Sequence, residues 1–237
     1  MIVFDGRGIL LDVEGTTSSI SFVYDVLFAH AKARVGEFLV AHRHDGRVMG
    51  LAAALTTGAG SPLTVEAIAA DPTRAALAAI DLMNRDVKDT ALKELQGMIW
   101  RSGFESGELV AHVFDDVPPA LAAWTDSGLD VRIYSSGSIE AQKLFFGHTA
   151  AGDLTAYLRG HYDTTTGPKR EAASYTQIAA DMRLAPRQIL FVSDVGAELD
   201  AARAAGMATA LAIRPGNREA GGIMEHEPVD SFAEIVV

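Results

Sequence analysis

The sequence predicts a doubly wound α/β fold carrying an inserted helical domain, on three observations. Short apolar runs stop abruptly at polar, Gly-bearing loops; helical patterns alternate with those runs; and one long interval between the first two runs contains helical patterns only. Apolar runs without alternation are the mark of strands buried on both faces of a parallel sheet. Strands alternating with helices specify such a sheet with right-handed crossovers.

The first run is Gly8-Ile9-Leu10-Leu11-Asp12-Val13, ended by Glu14-Gly15-Thr16-Thr17-Ser18. Val131 to Tyr134 is ended by Ser135-Ser136-Gly137-Ser138, and Ile189 to Val192 by Ser193-Asp194. Thr209 to Ile213 closes on Arg214-Pro215-Gly216. Between them, helices are predicted over Pro118–Ser127, Ile139–Phe146, Arg170–Leu184 and Ala197–Ala205, the last stopped by Gly206. Val23 to His42 and Thr64 to Gln96 are Ala-rich and amphipathic, with Pro62 and Pro72 marking turns or helix starts, and Thr56 to Ser61 reads as a loop. So much helix is too long for an ordinary crossover. The expected organisation is a core of residues 1–20 and 114–237 with an inserted helical cap over 21–113.

Composition narrows the function classes. A chain of 237 residues can bury a large core, and 49% hydrophobic with 22% charged residues is ordinary for a globular protein. The formal charge of -11 speaks against nucleic acid and against an anionic membrane surface, since both need a basic face. A small phosphorylated ligand remains compatible if a cation and a Lys reverse the local potential. The absence of cysteine excludes disulfides, thiolate metal sites and a Cys nucleophile. No apolar run approaches the roughly 20 residues of a membrane helix, and the acidic, Arg-bearing start does not read as a secretory leader. A cytoplasmic monomer is expected.

In open α/β sheets ligands bind beyond the carboxyl ends of the strands. Asp12, Ser135 and Asp194 are predicted at such ends, and Lys169 at the opening of the helix before the third strand. Each suits phosphoryl transfer. A carboxylate, Asp12, can attack phosphorus and divide one difficult displacement into two. Asp12 and Asp194 suit a hard divalent cation such as magnesium, which takes one or two carboxylates plus water and substrate oxygens. Lys169 would meet charge spreading over the phosphoryl oxygens, while Ser135 and nearby backbone N–H groups donate hydrogen bonds.

In this order, Asp12-Val13-Glu14-Gly15-Thr16, Ser135-Ser136-Gly137-Ser138, Gly167-Pro168-Lys169 and Ser193-Asp194 with Glu198 and Asp200 following resemble the four motifs of haloacid dehalogenase-type phosphatases. Glu14, where most of that family carries Asp, narrows the resemblance to the enolase-phosphatases (acireductone synthases) of methionine salvage. That likeness runs nearly end to end, through Ile20-Ser21-Phe22-Val23, Leu95 to Trp100, Asp116 to Ala120, Glu140 to Lys143, Gly167 to Tyr175 and Arg214-Pro215-Gly216-Asn217. The Ala29-His30 and Phe114-Asp115 pairs depart from the Pro-bearing forms of the family, in the cap and its return. The resemblance implies a Rossmann-like core and a phosphorylated diketone substrate, 2,3-diketo-5-methylthiopentyl-1-phosphate. It also implies Mg2+ through Asp12, Glu14 and Asp194, with substrate contacts from Ser135, Ser136 and Lys169. Catalytic roles are expected of Asp12, Glu14 and Lys169, Glu14 being one methylene longer than Asp and able to do acid/base work.

Plainer readings stand beside these. An Asp before a Gly-containing turn is usually a turn residue, Ser135 to Ser138 could be a strand-to-helix loop with an N-cap, and Lys169 alone would be a solvated cation. Glu198 and Asp200 near a helix start fit the helix dipole as well as chemistry. The seven His show no metal spacing, although His148 and His161 come near the motifs. Met98, Trp100 and Phe104 read as packing, or as the wall of an apolar pocket. The residues leave open a phosphatase of another small sugar phosphate without enolase activity, and a ligand-sensing module without turnover.

Overall fold

A computed structural model describes residues 1–57, 63–85, 87, 89–217 and 225–237. It divides into two compact units, Met1–Val23 with Val110–Val237, and Tyr24–Leu109.

Among the described residues of the second unit, all regular structure is helical. A π-helical segment, Phe22–Phe28, leads into α1 (Ala29–Ala41), followed by α2 (Gly46–Thr56), α3 (Val65–Ala70), α4 (Thr73–Asn84) and α5 (Thr90–Glu105). Short polar side chains start three of these helices: Asp45 accepts from Arg47 N and Val48 N, Thr64 from Ala67 N and Asp89 from Leu92 N. Each such cap stabilises its helix by about 1 kcal/mol. Val35, Leu39, Ala52, Ile68 and Leu95 are fully buried in one apolar cluster drawn from α1, α2, α3 and α5. The amphipathic stretch expected over Thr64 to Gln96 falls into three helices, with the break at Pro72 that its sequence marks and a second before Thr90. Pro72, lacking an N–H, takes the N-cap of α4, and Asp89 caps a fresh start for α5. Thr56 ends α2, while Gly58 to Ser61 of the expected loop, and Pro62, lie outside the described residues.

The first unit is α/β. Its strands are β1 (Ile2–Val3), β2 (Gly8–Leu11), β3 (Asp130–Tyr134), β4 (Gly160–Tyr162), β5 (Ile189–Ser193), β6 (Ala208–Ala212), β7 (Glu227–Val229) and β8 (Ile235–Val236). Six form a parallel sheet in the order β4-β3-β2-β5-β6-β7, and β1 pairs separately with β8. Helices α6 (Val117–Asp126), α7 (Ile139–Gly147), α8 (Ala172–Met182) and α9 (Gly196–Ala204) connect the strands. Leu10, Tyr134 and Phe191 pack with Tyr175, Ile178 and Leu199 of α8 and α9 in one core, and strand alternation turns Ile9 and Leu11 to the opposite face, also fully buried. Truncating Leu10 to Ala would cost about 2–5 kcal/mol. Gly206 stops α9 at φ +90°, as its position predicts.

The chain lays β3 and β4 on one side of β2 and β5, β6 and β7 on the other. The connections reverse at β2, which makes the carboxyl end of β2 the switch point where such sheets bind ligands.

Candidate active site

Parallel register sets the level of the site. Leu11 pairs with Ile133 of β3 and with Val192 of β5, so Asp12, Ser135 and Asp194 leave their strands side by side. Beyond Asp12 the chain curls tightly, with the N–H groups of Thr16, Thr17 and Ser18 all donating to the Val13 carbonyl. Gly15 sits at φ +72°, and a Cβ there would lie 2.3 Å from Asp194 Oδ2. Both the left-handed backbone and the close carboxylate demand Gly. The Asp194 N–H donates to Thr16 Oγ1 at 3.1 Å, tying this curl to the end of β5.

Asp12 is buried. Its Oδ1 accepts from Val13 N at 2.8 Å and lies 2.7 Å from Lys169 Nζ, while Oδ2 is 3.2 Å from the Ser193 hydroxyl. Lys169 Nζ also lies 2.6 Å from Glu198 Oε2, and its side chain is 9% exposed. Lys169 does not open α8, as its sequence context predicts; it stands in the loop ahead of it. Side chains hold that loop by its carbonyls: Tyr134 OH donates to Gly167 O at 2.8 Å, Ser174 Oγ to Pro168 O at 2.8 Å and Tyr175 OH to Lys169 O at 2.6 Å. With its backbone fixed and the Tyr134 ring 5.7 Å from Nζ, the ammonium is delivered to Asp12 on a short leash.

Ser135 Oγ donates to Glu14 Oε2 at 3.3 Å and accepts from Gly137 N at 3.1 Å. Ser136 follows on the exposed side of the same loop. Asp12, Glu14, Ser135, Lys169 and Asp194 thus meet at one sheet edge. Among the described residues no three His, Cys, Asp or Glu side chains form a ready-made metal cage, so Asp12, Glu14 and Asp194 do not close one by themselves. Asp12 is engaged by Lys169 and Glu14 by Ser135.

The electrostatics follow from crowding four carboxylates around one ammonium. Burial pushes the Asp194 carboxyl up to about 7, and the Asp12 charge adds to the push. Burial and then Asp12 likewise raise Glu198 to about 7, against the pull of Lys169. Glu14 moves up for the same two reasons. Burial alone would lower Lys169, but Asp12 and Glu198 more than reverse it, and the ammonium stays charged. Ser193 Oγ lies 3.2 Å from both Asp12 Oδ2 and Glu198 Oε2 and owns one proton. Donation from Ser193 to Glu198 works against the rise of that carboxyl, as the Lys169 ammonium does.

The haloacid dehalogenase-like hydrolase family matches residues 2–206. Enolase-phosphatase E1 of Pseudomonas aeruginosa (strain UCBPP-PA14) is 47% identical over 231 residues, covering 98% of each chain. The protein of the same name from Synechococcus elongatus is 48% identical over 216 residues, covering 88% of this chain and 89% of that one. The chain belongs to the haloacid dehalogenase-like hydrolases, in the enolase-phosphatase E1 group. Among solved structures, the UTR4 protein of Saccharomyces cerevisiae superposes with a TM-score of 0.79 at 33% identity, covering 96% of this chain and 98% of that one.

Within this hydrolase fold the structure adds residues that the sequence left undecided. Glu198 belongs to the site, while Asp200 is exposed and pairs with Arg203 and His226 at 3.0 Å each. Helical position separates them, since only Glu198 faces the sheet end. Arg214 reaches back from the β6 loop: Nε donates to Thr16 O at 3.0 Å and Nη1 to Asp116 Oδ2 at 2.8 Å, with the guanidinium between the Phe114 and Phe232 rings. Phe114, one of the departures from the family pattern, is therefore a stacking partner for the residue that clamps the loop following Asp12. Neither Arg214 nor Ser193 carried a sequence signal of its own beyond its place beside a motif. His161 pairs with Gln142 at 3.1 Å and His148 with the Leu144 carbonyl at 2.8 Å, which are structural contacts.

Proposed function

We propose that this hydrolase is an enolase-phosphatase that converts 2,3-diketo-5-methylthiopentyl-1-phosphate to the acireductone 1,2-dihydroxy-3-keto-5-methylthiopentene and phosphate, with Mg2+ as cofactor. The observation that carries the reading is a buried Asp12 held 2.7 Å from Lys169, with a Glu rather than an Asp two residues on, bonded to Ser135. Identity of 47% over nearly the whole chain supports the choice of substrate.

The residues fit a hard cation. Their donors are carboxylate oxygens, and the raised pKa values of Asp194 and Glu198 are those of carboxylates short of positive charge. Magnesium fits better than a closed-cage metal, because it keeps waters and substrate oxygens. Asp12, Asp194 and Glu14 would hold it, and when bound it neutralises phosphate charge and polarises a substrate oxygen.

In the first reaction a proton leaves the phosphate-bearing carbon and one reaches the neighbouring carbonyl oxygen, giving the enol. Glu14 is the proposed acid/base: burial and Asp12 hold its pKa up, so it can carry and return a proton, and Ser135 orients its Oε2. In the second, Asp12 attacks phosphorus as the enol oxygen leaves with a proton, and water then hydrolyses the aspartyl-phosphate. Lys169 holds Asp12 in place and meets the phosphoryl oxygens, while Ser135 and Ser136 at the β3 end donate to the substrate.

The test follows enol absorbance and phosphate release separately. Glu14→Gln is expected to slow enol formation by at least about 100-fold, the scale of general acid/base catalysis. Full rates of both steps in that variant would remove Glu14 from the mechanism. Phosphate release without any enol signal from the unsubstituted protein would favour a simple sugar-phosphate phosphatase.

A further inference from the structure

Asn217 follows β6 and turns back under the nucleophile loop. Its Nδ2 donates to Gly15 O at 2.8 Å and to Ala212 O at 3.3 Å. Both partners are carbonyls, which fixes the orientation of the amide: the nitrogen faces them and Oδ1 faces the other way. Oδ1 is buried and has no hydrogen-bond partner among the described residues. Its surroundings can be located through Gly15. A Cβ on Gly15 would stand 3.1 Å from Asn217 Oδ1 and 2.3 Å from Asp194 Oδ2, so the amide oxygen and the carboxylate converge on the same side of Gly15.

Asn217 Oδ1 is thus a buried acceptor beside the half-buried Asp194 carboxylate, and it has given up water without gaining a donor among the described residues. Such a pair is stabilised by a proton donor or a cation placed between them. A water in the shell of a divalent cation is both: it is strongly polarised, and it reaches past the carboxylate to an oxygen the metal does not touch. We propose that Asn217 is a positioning residue of the cation site, its Oδ1 accepting a hydrogen bond from a cation-bound water beside Asp194, while its Nδ2 bonds serve only to fix which way the amide faces. This rests on the magnesium reading above and adds a residue to it. Asn217 touches neither substrate nor metal; it acts through water.

The two halves of the amide can be separated by substitution. Asn217→Ala removes acceptor and donor, whereas Asn217→Asp keeps an acceptor at the same point and loses the donor. The measurement is Mg2+ affinity of the full chain by isothermal titration, repeated with Mn2+ by electron paramagnetic resonance. Asn217→Ala is expected to weaken Mg2+ by about 10-fold or more, the usual effect of losing a partner of a metal's ligands, and Asn217→Asp to stay within about 3-fold of the unsubstituted protein. Equal weakening in both variants would mean that only the backbone tie matters and would overturn the role of Oδ1. Unchanged affinity in Asn217→Ala would overturn the whole proposal. If Asn217→Ala does not fold, a 10-fold loss in Asn217→Asp alone would overturn it. Failure of the unsubstituted protein to bind Mg2+ would instead remove the magnesium reading on which it rests.

Discussion

Two charged clusters lie in the α/β unit, and they are built on opposite principles. Around Arg132 the charges are matched, Asp130 and Asp181 facing Arg132 with Arg183 also acting on Asp181: Nε and Nη2 of Arg132 reach both oxygens of Asp130 at 2.9 Å, and Nη1 donates to Tyr162 OH at 2.6 Å and Asp181 Oδ2 at 2.8 Å. The Asp181 carboxyl is lowered, first by its hydrogen bond from Tyr162, so ionisation and folding cooperate. Around Lys169 a single cation faces Asp12 and Glu198 directly, with Glu14 and Asp194 close by, and the carboxyls of Glu14, Asp194 and Glu198 are raised. Ionisation there opposes folding. A cluster that stabilises is balanced by its own residues; one left short of positive charge is preorganised for a ligand that brings it.

The comparison breaks most sharply at Asp12. Asp12→Asn removes the proposed nucleophile and should lower phosphate release by at least about 10⁴-fold, on the scale seen when a covalent nucleophile is deleted. It also removes a charge that pushes up both Asp194 and Glu198, so thermal unfolding in chelator should occur no lower than in the parent. A large drop in unfolding temperature would mean that Asp12 is a structural charge like Asp130. Lys169→Met should abolish turnover and also destabilise by about 3 kcal/mol at pH 8, because it strands buried carboxylates. The loss should shrink at pH 6, where Glu198, freed from the pull of Lys169, takes a proton. Denaturant unfolding at the two pH values checks this, and a pH-independent loss would speak against a crowded carboxylate cluster.

How much of this was legible in the sequence depends on whether a residue's neighbours are local. Asp12, Ser135 and Asp194 were placed by their strands, because an apolar run followed by a polar loop needs no tertiary information. The edge strands β4 and β7 were not, since Gly160-His161-Tyr162 has no apolar run and Pro228 is tolerated in β7 only because that strand lies at an edge. The loop position of Lys169 depends on Tyr134, Ser174 and Tyr175 holding carbonyls, which periodicity cannot express. Glu198 was ambiguous because a helix start and a charge cluster favour the same residue type.

A smaller effect, and one of opposite sign in the two clusters, is the response to pH and magnesium. Asp194 and Glu198 titrate near 7 in the folded chain against 3.8 and 4.5 as ordinary values. Between about pH 4 and 7 the folded state therefore holds protons that the unfolded state has released, and stability from these two groups falls as pH rises. Above 7 the repulsion is complete and a cation relieves it most. The rise in unfolding temperature on adding Mg2+ should be larger at pH 8 than at pH 6; the reverse order would show that the raised carboxyls are not where the cation acts.

The balanced cluster supplies the smallest effect and the control. Asp181 is 61% exposed, so its pair with Arg132 is screened, and Asp130 still engages the guanidinium when it is gone. Asp181→Asn is expected to cost less than about 1 kcal/mol, since exposed ion pairs contribute little and the amide can still accept from Tyr162. Its pKa is depressed, so the contribution is present above the ordinary carboxylate range and lost as pH falls below it. The variant and its parent should therefore converge in stability in acid and differ slightly at pH 7, with phosphate release and the Mg2+ response unchanged. A change in either activity readout would couple the two clusters through β3, and the contrast between a balanced structural cluster and an unbalanced catalytic one would no longer hold.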